Sequence, residues 1–480
     1  MFNFPWSLFA TEIGLIILSL GCLVLDIFLS DDEKRGQTLA NIAMVGVSLL
    51  IFQLCFGWGN FGSAFGGSFV EDGVSFFFKL LFLLAGFFTL FMARDYQSQL
   101  KRGHGEFILL ILFSLVGMCF LASANDFLLF FVSLEILTIS LYIMTSYLRD
   151  SQISIEAGVK YLILGALSTA LFLYGLSFVY GASGSTNFAE IYTKIHNAPS
   201  LPTPFLFGIL LIIASLAFKI AAVPFQLWAP DIYEGAPTPV TAYLAIGSKT
   251  AGFVGLVRLM TNVFAPAQNH LTLLFGVLAA LTIFYGNLGA IPQTNLKRLM
   301  GYSSIGHAGY LLIGLAAFRN TGNEALLYYL MSYLFSTAGI FLVLVALSHH
   351  LKTYEIGELA GLSKKSPLLA AGMLFGLLSL AGVPPLAGFF AKFYLLWAAA
   401  KSGLLWLVVV GVVNVVTSLY YYLKVVKVIY VDKPVNDVPY AVSFDQKLMQ
   451  YLSIFAILFL GIYQEPLVRL AKLTFSGYLK

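Results

Sequence analysis

Long apolar stretches separated by short polar joints run the length of the chain. A helix needs about 20 apolar residues to cross the hydrocarbon core of a bilayer, and by that ruler the pattern predicts about 14 spans. They are 7–29, 38–57, 73–93, 106–124, 127–147, 155–180, 204–225, 239–261, 271–291, 299–318, 324–347, 367–398, 404–430 and 448–466. Some joints are very tight, such as Ala124–Asp126; others are polar, such as DDEKRGQ at 31–37, RDYQSQLKRGHGE at 94–106 and KTYEIGELAGLSKKS at 352–366. The expected fold is an all-α polytopic membrane protein.

Composition agrees. The 480 residues are 59% hydrophobic and 10% charged, with mean hydropathy +0.88, whereas soluble domains are about 25% charged. A soluble enzyme is excluded. The net charge of +4 gives no reason to expect a nucleic-acid partner. The three cysteines, Cys22, Cys55 and Cys119, lie in apolar segments without metal-ligand spacing and read as packing residues. The start, MFNFPW, lacks the basic region of a cleaved signal peptide.

Basic residues in the joints set the expected orientation. Lys34, Arg35, Arg94, Lys101, Arg102, Arg149, Lys297, Arg298, Lys352, Lys364, Lys365, Lys424, Lys427, Lys433 and Lys447 fall on one side; Lys194, Arg319, Lys401, Arg469, Lys472 and Lys480 fall on the other. The positive-inside rule places the richer side in the cytoplasm and both termini outside.

Two spans carry prolines inside a shared pattern, SLAFKIAAVPF at 215–225 and SLAGVPPLAGFF at 379–390. Proline removes a backbone donor and frees a carbonyl. At membrane depth such groups persist only where they are buried in protein or hydrated. Pro224, Pro384 and Pro385 therefore predict discontinuous helices 7 and 12. An offset of five spans turns the second copy upside down, the pattern of an inverted repeat.

Charged residues inside spans are the candidate chemistry, because a lysine at mid-bilayer costs at least ~2.5–3.5 kcal/mol. Lys219, Lys249 and Lys392 lie deep in their segments, and Lys219 and Lys392 adjoin the two breaks. The one deep carboxylate expected is Glu135, and a Glu135–Lys219 pair is predicted because both groups must avoid lipid. Lysines in excess of acids suit proton exchange rather than a static bridge. His307, among Ser303, Ser304 and Tyr310, adds an imidazole that titrates near neutral pH. Lys160 and Glu156 read as a secondary (i, i+4) pair near the cytoplasmic surface. Lys79 and Arg258 read as snorkelling to the interface. Asp126 and Asp231 read as capping or loop carboxylates, and Glu12 and Asp26 stay unassigned.

FKIAAVPFQLWAPDIYEGAPTPVTAYLAIGSKT, LKRLMGYSSIGHAGYLL and LAGVPPLAGFFAKFYL together resemble the antiporter-like membrane subunits of complex I, over nearly the whole chain. The resemblance implies 14 helices and a three-helix segment at 1–105. It further implies two inverted five-helix repeats at 106–262 (helices 4–8) and 263–430 (helices 9–13), and a last helix in 431–480. It implies a proton relay of residues matching Glu135, Lys219, Lys249, His307 and Lys392. The short tail after the last span and a lysine at 392 resemble the N-type subunit rather than the L- or M-type. Gln226 departs from the family, which often has histidine there in PFHLW, and glutamine does not titrate.

That resemblance implies a proton-translocating subunit of NADH:quinone oxidoreductase in the bacterial inner membrane, neighbouring K-, M-, L- and J-like subunits and lipid. No cofactor is expected in this chain; NADH, FMN, iron–sulfur clusters and quinone belong to partners. The competing readings are a subunit of a multi-subunit, Mrp-like Na⁺/H⁺ antiporter and the matching subunit of a ferredoxin- or hydrogenase-linked relative.

Overall fold

A computed structural model describes residues 6–29, 32–351, 353–434 and 439–476. Lys352 and Lys480, the side chain of Arg319, Asp31 and the first five residues, used above, lie outside what is described.

Helices dominate. The chain opens with α1 (Ala10–Phe28) and α2 (Asp32–Phe56), then a two-stranded antiparallel hairpin, β1 (Gly62–Ala64) and β2 (Phe69–Glu71). There follow α3 (Gly73–Asp95), α4 (His104–Ser123), α5 (Phe127–Thr145), α6 (Gln152–Ser183), the short α7 (Phe188–His196) and α8 (Thr203–Ile220). Next come α9 (Trp228–Gly235), α10 (Thr238–Tyr243), α11 (Lys249–Thr261), α12 (Gln268–Ala290), α13 (Leu296–Ala316) and α14 (Asn323–Leu347). The last are α15 (Leu362–Lys365), α16 (Pro367–Ala381), α17 (Ala387–Lys401), α18 (Leu405–Tyr430), α19 (Phe444–Ile462) and α20 (Glu465–Phe475).

Among the described residues eleven helices are long and apolar enough to cross a membrane, or twelve if α19 and α20, bent by 77°, form one span. The expected count of fourteen is thus not met by length and composition alone. α13 carries Lys297, Arg298, two serines and a histidine in one helix. The twelfth span is two halves of 15 residues each. The joint at 31–37 is not a loop either, since α2 already begins at Asp32.

The chain forms two compact units. One holds residues 1–220, 247–271 and 473–480; the other holds 221–246 and 272–472. In the first, α4 packs on α5, and α6 runs along α8. In the second, α14 is central, flanked by α16, α17 and α19, and α13 packs on α9.

The helix starts follow local chemistry. Asp72 accepts from Ser75 N while the Ser75 hydroxyl closes the reciprocal bond, a capping box on α3. Asp126 caps α5 as expected, accepting from Leu128 N. Asp231 does not cap; it lies in α9 and pairs with Arg298 at 2.8 Å. Cys22 and Cys119 are buried, whereas Cys55 is exposed.

Two lysines and an arginine overturn the surface reading. Lys79 is 0% exposed and held by Glu12 and Glu71. Arg258 is likewise buried, making a bidentate pair with Asp72 at 2.5 and 2.8 Å and donating from Nε to the Ala122 carbonyl at 2.7 Å. Distance to a helix end predicted snorkelling, but the hairpin and its loop bring carboxylates to those ends, so both cations are satisfied inside the protein. Lys297, counted with the loop charges, is also buried: its Nζ donates to the Glu234 and Ala236 carbonyls at 2.9 and 2.5 Å, closing the end of α9.

Candidate functional site

Both proline segments interrupt helices where expected. α8 stops at Ile220, Ala221 takes a left-handed φ of 58°, and the Val223–Pro224 bond is cis. α16 stops at Ala381, Gly382 takes φ 89°, and the Pro384–Pro385 bond is cis. The freed backbone groups have partners. Val223 N donates to Thr282 Oγ1 at 3.1 Å, and Gly388 N donates to Ser379 Oγ at 3.1 Å. The eighth span, Thr238–Thr261, also departs from a regular helix: Leu244–Ser248 is a π-helical turn, and Lys249 follows it. Such turns arise where a helix absorbs an extra residue, often at a functional position. Each of the three deep lysines thus sits beside a helix irregularity, and each is at most 4% exposed.

In the first unit, Lys219 Nζ donates to the Tyr142 hydroxyl at 3.3 Å and lies 5.6 Å from that ring's centre. Tyr142 reaches it over Gly165 of α6, where an added Cβ would lie 2.0 Å from the tyrosine oxygen. Tyr161 meets the same ring edge-on, centroids 4.9 Å apart. α11 packs against α8 at Gly252, one turn beyond Lys249; a Cβ there would strike Ile220 at 2.5 Å and approach Lys219 Cβ at 3.4 Å. Lys249 and Lys219 therefore lie on directly packed helices.

The expected Glu135–Lys219 ion pair does not form. Glu135 is half-buried and accepts from Thr169 Oγ1 at 2.8 Å, while Lys219 turns to Tyr142. The physical reason is the face Glu135 occupies. It points between α5 and α6 into a groove of about 640 Å³ that Tyr142 and Thr169 also line. Tyr142, two turns along the same face of α5, is the residue of that helix that meets Lys219, so the carboxylate is offset from the lysine by about 10 Å along the helix axis. In low dielectric a carboxylate at that offset still acts on the lysine across space, without touching it.

In the second unit, Lys392 reaches back across the break. Its Nζ donates to the Ala381 carbonyl at 2.9 Å and to Ser418 Oγ at 3.4 Å, and it lies 5.0 Å over the Tyr310 ring. The freed carbonyl of the broken helix is thus the lysine's ligand. His307 is held by tyrosine hydroxyls from two other helices, one of them bonded in turn to Ser303. Its ring nitrogens bond the hydroxyls of Tyr329 at 2.5 Å and Tyr422 at 3.0 Å, and Tyr422 is bonded at 2.5 Å to Ser303. Tyr310 donates instead to the Gly411 carbonyl. His307 and Lys392 share one cavity of about 10 Å³, lined also by Tyr333, Ser336 and Ser379. That is room for about one water, and polar groups line it.

The secondary residues divide. Lys160 and Glu156 form the (i, i+4) pair at 2.7 Å, with side chains 41% and 64% exposed. Gln226 lies buried in the first break, and its Oε1 has no hydrogen-bond partner among the described residues. Tyr142, Thr169, Tyr329, Tyr422 and Ser418 were missed. Only Tyr142 carried a signal, its seven-residue offset from Glu135. No group of three or more His, Cys, Asp or Glu able to hold a metal occurs among the described residues.

Comparisons with known proteins give the family of the chain. The family described as NADH:quinone oxidoreductase/Mrp antiporter, transmembrane, matches residues 124–418. The chain is 39% identical over 477 residues to NADH-quinone oxidoreductase subunit N of Desulforamulus reducens, covering 99% of each chain. It is 40% identical over 465 residues to the subunit N of Moorella thermoacetica, covering 97% of each. Among solved structures, a chain of respiratory complex I from Thermus thermophilus with bound aureothin superposes with TM-score 0.82 at 33% identity, over 96% of this chain and 98% of that one. A chain of the Mrp complex from Dietzia sp. superposes with TM-score 0.86 at 20% identity, over 99% and 98%, a likeness of fold alone.

Proposed function

The chain belongs to the NADH:quinone oxidoreductase/Mrp antiporter family, as a subunit N of the proton-pumping membrane arm, and we propose that it moves protons through Glu135, Lys219 and Lys249 in one unit and His307 and Lys392 in the other. The observation carrying this reading is that Lys219, Lys249 and Lys392, buried deep in their spans, sit at helix irregularities, where backbone carbonyls, hydroxyls and water can take the place of a bulk hydration shell. An ammonium held this way can lose and regain its proton without crossing lipid.

The protein acts as part of a translocating NADH:quinone oxidoreductase and works beside other membrane subunits and the redox arm. Moving one charge against 100 mV requires about 2.3 kcal/mol, which electron transfer in those partners supplies. We assign NADH, FMN, iron–sulfur clusters and quinone to the partners and none to this chain. The division into inverted repeats at 106–262 and 263–430 rests on the matched breaks. Placement in a bacterial inner membrane with both termini outside rests on the basic bias of the joints. The reading as an Mrp-like Na⁺/H⁺ antiporter subunit is supported by the family match, whose description covers both, and by likeness of fold, while the full-length relatives named above are subunits N.

The test is Lys219→Ala and, separately, Glu135→Ala in the assembled complex. With subunit content unchanged, NADH-driven proton pumping falls at least about tenfold for Lys219→Ala, equivalent to about 1.4 kcal/mol on the transfer barrier. It falls less for Glu135→Ala, which acts across a distance. Pumping at the normal rate in both variants overturns the relay. Pumping that requires sodium in the medium favours the antiporter reading.

A further inference from the structure

The buried ions around the hairpin do not balance. Glu12 of α1 is 0% exposed, and its Oε1 lies 2.6 Å from Lys79 Nζ of α3, itself 0% exposed. Glu71, at the end of β2 and 8% exposed, binds the same ammonium, and its Oε2 also accepts from Ser123 Oγ of α4 at 3.2 Å. The neighbouring charges cancel each other, since Asp72 is taken bidentately by Arg258 of α11. Among the described residues Cys119 of α4 also faces the cluster, and the Phe69 ring covers Lys79 at 5.2 Å. Two carboxyl groups therefore share one cation.

A second observation locates the surplus. Glu12 Oε2 receives no hydrogen bond among the described residues, though it is fully buried. A buried carboxylate oxygen with no donor is costly, and the usual resolution is neutralisation. Two carboxyls on one site do not both ionise. Burial, ahead of the opposing pull of Lys79, holds the Glu71 carboxyl above the ordinary carboxylate range.

We propose that Glu12 and Glu71 share one exchangeable proton, so that the hairpin end of the first three helices is a proton-holding site separate from the lysines at the helix breaks. One carboxyl is the carboxylate partner of Lys79 and the other is the acid. The O–H bond of that acid breaks to release a proton to water entering by the hairpin, and the electron pair stays on the carboxylate.

The experiment is infrared difference spectroscopy of the whole purified complex, in H₂O and D₂O, reading the carbonyl stretch of protonated carboxylic acids. The wild type shows a D₂O-sensitive acid band that both Glu12→Gln and Glu71→Gln abolish, because the remaining glutamate then has Lys79 to itself. Lys79→Met doubles the band, since both acids become neutral. Each glutamine variant assembles normally, because glutamine is nearly isosteric with the protonated acid. An acid band of unchanged size in both glutamine variants overturns the proposal. So does loss of assembly in both. A band that appears only when sodium is withdrawn overturns it in favour of a bound cation.

Discussion

Lys219 and Lys392 stand in matching places, one just before a proline break and one just after, yet they are held differently. Lys219 has a tyrosine hydroxyl against it, a carboxylate on the adjoining face, and an open groove of about 640 Å³ beside that carboxylate. Lys392 has a backbone carbonyl, a serine and an aromatic face, with a cavity of about 10 Å³ and no carboxylate bound to it among the described residues. The first ammonium feels a counter-charge; the second is held by dipoles alone. In low dielectric a counter-charge fixes a proton in place, while dipoles let it be exchanged. On the proposed relay, the unit containing Glu135 would retain a proton until the carboxylate is perturbed, and the unit containing His307 would pass one on.

Placing an anion where the second lysine has none should erase the difference and give the largest effect. Ser418 lies 3.4 Å from Lys392 Nζ. A carboxylate about 4 Å from an ammonium, at an effective dielectric near 20, is worth about 4 kcal/mol, roughly a thousandfold in proton affinity. Ser418→Asp in the assembled complex is expected to stop NADH-driven pumping by trapping the proton on Lys392. Ser418→Asn, of the same size and neutral, retains most of it. Equal activity in the two variants would show that charge balance at Lys392 does not matter.

The reverse manipulation at the first lysine should be milder. Tyr142→Phe removes the hydroxyl that Lys219 donates to but leaves Glu135, Thr169 and the ring in place. A hydrogen bond from a charged donor contributes about 1.5–3 kcal/mol, so pumping should fall roughly ten- to 150-fold. Gly165→Ala should reproduce that loss, because its Cβ would lie 2.0 Å from the Tyr142 oxygen and push it off the lysine. Loss in one variant without the other would separate the hydroxyl's chemistry from the packing that places it.

The lysines and the breaks were legible because lysine and proline inside an apolar stretch are rare and costly, so each announces its position by itself. Their partners were not. Thr169, Ser418, Tyr329 and Tyr422 come from other helices, and apolar periodicity fixes which face a residue occupies, not which helix that face meets. The Glu135–Lys219 pair failed because periodicity leaves the offset along the helix axis open: Tyr142, two turns along the same face of α5, meets the lysine instead. Lys79 and Arg258 were misread because a helix end was equated with the water surface. The three-residue strands that bring Glu71 and Asp72 over those ends leave almost no hydrophobic signature.

Lys160 supplies the smallest expected effect and the control for the whole comparison. From sequence it belongs to the same class as Lys219, a basic residue inside a span. In the structure it is 41% exposed and paired with Glu156 one turn away on a regular stretch of α6. Exposed (i, i+4) pairs contribute about 0.3–0.5 kcal/mol. No break or π-turn adjoins Lys160 in α6. Lys160→Ala should therefore leave pumping within about twofold of normal and lower stability by no more than that pair's contribution, measured as the thermal midpoint of the assembled complex. If its pumping fell as far as that of Lys219→Ala, an irregular backbone beside the lysine would not be what marks a working site, and the contrast between the two units would need another cause.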